Sequence, residues 1–164
     1  MTTIAWDGVT LAADRQVTTH RGFRIPPGSG MTKIFRHSDY LIGFAGMVEH
    51  WERYRRHALT RSLAQILEDN LPPEARLEES QFDVLIIGFD SQVYTDTGGL
   101  IVPSTANFTA IGSGAECAIG ALAAGARAER AVAIAARYDT QTGEAIDLLR
   151  LPPLKSKPKR KITI

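Results

Sequence analysis

The chain opens on a β-hairpin, and this constrains it more than any other feature. Thr3 to Trp6 and Val9 to Ala13 are two β-rich runs, and the Asp7-Gly8 dipeptide between them suits a type I′ turn. The opening MTTIAWDG has no basic start and no long apolar stretch, so it reads directly as a strand rather than as a signal peptide, and no propeptide is expected. A strand that begins at residue two or three holds whatever chemistry sits there in one place.

The rest of the chain continues in blocks. Thr18 to Ile25 is a weaker strand candidate, followed by a loop at Pro26 to Gly30. Lys33 to Arg36 and Tyr40 to Ala45 form a second strand pair around His37-Ser38-Asp39, and Gly46 breaks the pattern. Met47, Val48, Trp51, Tyr54 and Ala58 then fall at helical spacing. Leu63, Ile66 and Leu67 continue as a helix ended by Pro72-Pro73. The apolar run Phe82 to Phe89 predicts a buried strand. Short strands are expected at Gln92 to Thr95 and Phe108 to Ile111, helices at Glu116 to Ala124 and Arg127 to Arg137, and a last strand at Ala145 to Leu151. This order predicts an α+β fold of two stacked antiparallel sheets with helices on the outside. Residues 2–151 are read as a single domain, and 152–164 as a basic tail with little fixed structure.

Composition removes several classes of function. With 164 residues, 44% of them hydrophobic, the chain can build a real core, and a net charge of +1 creates no field favouring nucleic acid or a membrane surface. No apolar run reaches the roughly 18 residues of a membrane span. The single cysteine, Cys117, excludes an internal disulfide framework and fits a reducing, cytoplasmic setting. It reads as a small buried hydrophobe of an apolar helix. His20, His37, His50 and His57 show no metal-ligand spacing, and no metal or organic cofactor is expected. Gly112-Ser113-Gly114 resembles half of a dinucleotide fingerprint, but Cys117 stands where the third glycine belongs. The lysines and Arg160 of the tail read as a solvated end rather than a nucleic-acid site.

One arrangement survives. An α-amino group has a pKa of about 7.7 to 8.0 and can serve as a base near neutral pH. A threonine at the start of the first strand could have its hydroxyl activated by its own amine. That chemistry also needs a cation near the hydroxyl, a carboxylate to hold the cation, and a backbone amide for the oxyanion.

The sequence carries motifs that match such a site in order. TTIAWDGVTLAADRQVT resembles the opening of proteasome β-subunits and of the short bacterial heat-shock peptidase that works with an unfoldase. MTKIF, LIGFAG, TAIGSG and ARYDTQTGEAID resemble successive later segments of that family, so the resemblance runs from Thr2 to Asp147. It implies the four-layer αββα sandwich of the N-terminal nucleophile hydrolases. It also implies a threonine-type endopeptidase whose nucleophile is Thr2, freed by removal of Met1. Asp14 matches the family's carboxylate, Lys33 its catalytic lysine and Gly46 its oxyanion glycine. Ser113, Asp139 and Thr142 match the residues that support the amino terminus, Thr142 standing where the family usually has serine. The loop before Lys33 is a few residues longer than usual.

The same resemblance implies stacked homo-oligomeric rings, unfolded protein or peptide substrates, and an ATP-dependent unfoldase as partner. It places the substrate side chain before the cut against Val17, Thr18, Met31, Phe35, Phe44 and Val48, with Glu52 the one acid at the base of the pocket. No cation is expected there, so apolar residues should be cut after in preference to acidic ones. Two other readings fit the same residues: an amidohydrolase of the same fold, and an inactive ring-forming scaffold.

Overall fold

The computed structural model describes residues 2–18, 23–25, 31–69, 82–97 and 100–152. Strands β1 (Thr3–Trp6) and β2 (Thr10–Asp14) form the opening hairpin, in register Trp6↔Leu11 and Ile4↔Ala13. The turn is longer than the two-residue type I′ connection predicted. Gly8 takes a positive φ of 93°, but no other residue of the connection does, and both central residues of a type I′ turn must. Asp7 decides the shape instead, because its Oδ1 accepts the N–H groups of Val9 (3.0 Å) and Thr10 (2.7 Å).

Next come β3 (Ile34–Arg36), β4 (Tyr40–Gly46), α1 (Val48–Ala58) and α2 (Leu63–Asp69). They are followed by β5 (Phe82–Gly88), β6 (Val93–Thr97), β7 (Leu100–Ser104) and β8 (Thr109–Gly112). Helices α3 (Ala115–Ala123) and α4 (Ala128–Tyr138) and strand β9 (Ile146–Arg150) complete the described elements. Between Thr18 and Ile25 a single bridge, Thr18↔Arg24, replaces the expected strand among the described residues. Pro72-Pro73, the PPGSG loop and residues 153–164 lie outside the described residues. Strand β7 has no counterpart in the sequence reading, and it contains Pro103. Proline is tolerated there because β7 is an edge strand.

The strands form two antiparallel sheets, in the orders β8-β1-β2-β9 and β3-β4-β5-β6-β7. Three buried clusters define four layers. Ile4, Trp6, Leu11 and Ala13 of one sheet meet Ile34, Leu41, Leu85 and Ile87 of the other. Tyr40, Ile42, Phe44, Val84 and Ile86 face Trp51 and Tyr54 of α1. Ala5 and Ala12 face Ala118 of α3 and Ala131 and Ala135 of α4. Strand β5 is therefore covered on both faces, which is why it reads as an unbroken apolar run rather than an alternating one. Each fully buried large side chain contributes about 1.5–3 kcal/mol. The alanine pattern on the other side lets α3 and α4 approach their sheet closely. Cys117 is half-buried against this alanine cluster rather than fully enclosed. Among the described residues no helix is long and apolar enough to cross a membrane.

Candidate active site

The ends of β1 and β2 bring the first functional groups together. Asp14, the last residue of β2, is fully buried, and its carboxylate accepts four hydrogen bonds. Oδ1 takes the backbone N–H of Thr3 at 2.8 Å and the Lys33 ammonium at 3.0 Å. Oδ2 takes the N–H groups of Gln16 (2.9 Å) and Gly143 (3.0 Å). A buried carboxylate needs this degree of hydrogen bonding to offset its loss of water. Lys33 precedes β3 and is 3% exposed. Burial pulls its pKa below the ordinary lysine value, while the Asp14 carboxylate works in the opposite direction.

A second cluster joins distant parts of the chain. Asp139 follows α4, and its Oδ2 accepts the hydroxyls of Ser113 and Thr142, both at 2.6 Å. The Thr142 hydroxyl gives its one proton to Asp139, so the Thr3 hydroxyl, 2.5 Å away, donates to Thr142. Burial raises the Asp139 pKa, but the hydrogen bonds from Ser113, Thr142 and the Gln141 N–H outweigh it and hold the carboxyl below its ordinary value. Ser113 Oγ also stands 3.5 Å from the carbonyl oxygen of Thr2.

Thr2 itself is 3% exposed and precedes β1. Side chains alternate along a strand, so Thr2 shares the inter-sheet face of Ile4 and Trp6. Gly112 presses against it. A Cβ on Gly112 would lie 1.9 Å from the Thr2 carbonyl oxygen, and its φ of 92° is the left-handed conformation that favours glycine. The GSG segment is thus a close backbone approach to Thr2, not part of a dinucleotide fingerprint. Gly46 ends β4 with a φ of 105°, and Met47 is the extended residue from which α1 starts.

Of the residues placed against the substrate, Met31, Phe35, Phe44 and Val48 gather on the helix-side face of the second sheet. Phe44 is fully buried in the helix-side core, its ring stacked on Trp51 with centroids 5.5 Å apart. Met31, Phe35 and Val48 are half-buried and pack against the same cluster. Val17 is half-buried, its carbonyl accepting the Ile25 N–H, and Thr18 bridges Arg24. A cation does stand beside this group, contrary to expectation: the Arg55 guanidinium lies 4.9 Å from the Phe35 ring centroid. Glu52 binds it through two hydrogen bonds of 2.6 Å and so balances its charge.

The sequence reading missed Thr3, Gln16, Gly112 and Gly143. All four sit within two residues of a matched position, and Gly112 and Gly143 carried the one usable signal, a glycine flanking a matched hydroxyl.

No protein-family model and no curated protein matches the chain. Solved structures do. Eukaryotic HslV from Trypanosoma brucei superposes with a TM-score of 0.64 at 24% identity, over 91% of this chain and 98% of that one. Thiobacillus denitrificans BPH superposes with a TM-score of 0.66 at 22% identity, over 93% and 98%. The same BPH in complex with epoxomicin gives 0.67 at 22% identity, over 93% and 99%. Two antiparallel sheets between two helical layers, matched along nearly the whole chain, establish that this protein shares its four-layer αββα fold with HslV and BPH.

Proposed function

We propose that the protein is a threonine-type endopeptidase that hydrolyses peptide bonds through Thr2 once Met1 has been removed. The observation that carries this reading is the buried Lys33–Asp14 pair, tied directly to the first strand through the Thr3 N–H. A fully desolvated ion pair costs much to form and is kept where a charge is needed. In this reading the amine of Thr2 takes the hydroxyl proton, and Lys33 stabilises the developing alkoxide electrostatically. The Gly46 N–H receives the oxyanion of the tetrahedral intermediate. The intermediate collapses as the scissile C–N bond breaks, the substrate's amine leaves with the proton that the Thr2 amine had taken, and water then hydrolyses the ester left on the Thr2 oxygen. Ser113, Asp139 and Thr142, joined by their short hydrogen bonds, orient the amine. No metal or cofactor takes part.

The pocket for the residue before the cut is lined by Met31, Phe35 and Val48, with Phe44 behind them and Val17 and Thr18 at its side. The protein acts as stacked homo-oligomeric rings in the cytoplasm, on unfolded chains supplied by an ATP-dependent unfoldase. Support for this part comes from the family resemblance and the shared fold.

Intact mass of the purified protein decides whether Met1 is lost. Peptide hydrolysis by the processed protein, abolished in Thr2→Ala without loss of fold, is the expected result. Epoxomicin, which the Thiobacillus protein binds, should add its mass to the wild type and not to Thr2→Ala. Full activity in Thr2→Ala would end the proposal.

A further inference from the structure

Two threonines stand side by side where the first strand starts, and the strand sends their side chains to opposite faces. Thr2 shares the inter-sheet face of Ile4 and Trp6, so Thr3 shares the helix-side face of Ala5. Thr3 therefore cannot exchange roles with Thr2. It is nonetheless fully buried, and a hydroxyl is kept in such a place where it is hydrogen-bonded. Its Oγ1 lies 2.5 Å from the Thr142 hydroxyl, which donates in turn to Asp139 Oδ2 at 2.6 Å.

Gly114 makes room for this pair of hydroxyls. A Cβ there would lie 2.2 Å from Thr3 Oγ1 and 3.0 Å from Thr142 Oγ1. The backbone beside Thr3 is held as well. The peptide unit that joins Thr3 to Thr2 gives its N–H to Asp14 at 2.8 Å, and the carbonyl oxygen of the same unit stands 3.5 Å from Ser113 Oγ. Asp14 also holds Lys33, and Asp139 also holds Ser113. Thr3 is thus tied through its backbone to the pair that carries the cation, and through its side chain to the cluster proposed to orient the amine.

We infer that Thr3 is a positioning residue for the reaction. Its N–H and its hydroxyl fix the start of β1 between the Lys33–Asp14 pair and the Ser113–Asp139–Thr142 cluster, and so set where the neighbouring Thr2 presents its amine and hydroxyl to both. In this role Thr3 acts through Thr2 and needs no contact with substrate; what matters is a hydroxyl at this position, held at Thr142. The inference rests on the threonine peptidase reading for its kinetic consequence, and on the hydrogen bonds alone for its structural one.

The test compares Thr3→Val with Thr3→Ser in the full chain, with intact mass used first so that each rate is expressed per molecule that has lost Met1. Valine keeps the shape of threonine and loses the hydroxyl; serine keeps the hydroxyl and loses a methyl group. With a peptide substrate, kcat should fall about ten- to hundredfold in Thr3→Val with KM within about threefold of wild type, because a misplaced Thr2 weakens the transition state more than the bound ground state. Thr3→Ser should restore kcat to within about threefold of wild type. Should Thr3→Val fail to fold, Thr3→Ala removes the same hydroxyl without filling its place and takes over throughout. Urea unfolding supplies a readout independent of activity. Thr3→Val and Thr142→Val remove the two sides of one hydrogen bond, so the change in unfolding constant in the double variant should differ from the product of the two single changes by about threefold or more. A wild-type kcat in Thr3→Val, equal damage from serine and valine, or independent effects in the double variant overturns the inference. If processed wild type hydrolyses no peptide, the peptidase reading fails, and the unfolding cycle still decides whether Thr3 is anchored at Thr142.

Discussion

Replacing Asp14 by asparagine removes the counter-charge of a buried lysine while keeping nearly the same shape. Lys33 Nζ lies 3.0 Å from Asp14 Oδ1, with side-chain exposures of 4% and 0%. At an effective dielectric of about 20, two unit charges at that distance attract by roughly 5 kcal/mol. Breaking a buried pair from one side costs about 3–5 kcal/mol. The amide also presents an NH2 group where one carboxylate oxygen accepts two of the four hydrogen bonds. For a chain of this size the expected fall in Tm is about 6 to 20 °C, measured by differential scanning fluorimetry. Hydrolysis should fall with it, because Lys33 loses the group that keeps it charged. The double variant Asp14→Asn with Lys33→Met separates the two effects. Removing both charges should recover much of the lost stability and none of the activity. A double variant no more stable than Asp14→Asn, or an Asp14→Asn protein within about 2 °C of wild type, would refute the argument.

Other consequences follow from the same geometry. Burial lowers the Lys33 pKa, so the ammonium is lost at a lower pH than in a free lysine, and the alkaline limb of kcat/KM should begin below about pH 10.4. Between the lowered value and that pH the unfolded chain binds more protons, so Lys33 by itself makes stability rise with pH; an alkaline limb no lower than that of a free lysine would contradict this. Gly112→Ala places a Cβ 1.9 Å from the Thr2 carbonyl oxygen at a φ of 92°, and should abolish peptide hydrolysis and epoxomicin labelling together. Retained labelling would mean that the close approach is not needed. On fluorogenic peptides differing only before the cut, leucine, phenylalanine or tyrosine should be preferred over aspartate or glutamate by about 10- to 200-fold, since Glu52 neutralises the Arg55 cation beside Phe35. Fastest cleavage after an acidic residue would show that the pocket is assigned to the wrong side chains.

The sequence by itself determined the local elements, because their causes are local. The β-rich runs around Asp7-Gly8 commit residues 3–14 to a hairpin whatever surrounds them, and helical spacing from Val48 to Ala58 is carried by Trp51 and Tyr54. Matching motifs in order also placed Thr2, Asp14, Lys33, Ser113, Asp139 and Thr142 on one candidate site. Only the tertiary structure decided how these groups meet. The Thr3 and Thr142 hydroxyls lie 139 residues apart in the chain, and no spacing rule joins them. Pro103 sits in β7 because that strand turned out to be an edge. Phe44 and Phe35 look alike in sequence, yet one is sealed beneath Trp51 and the other is half open under Arg55. Periodicity tells a side chain which face it is on; the packing of the other sheet tells it what it will find there.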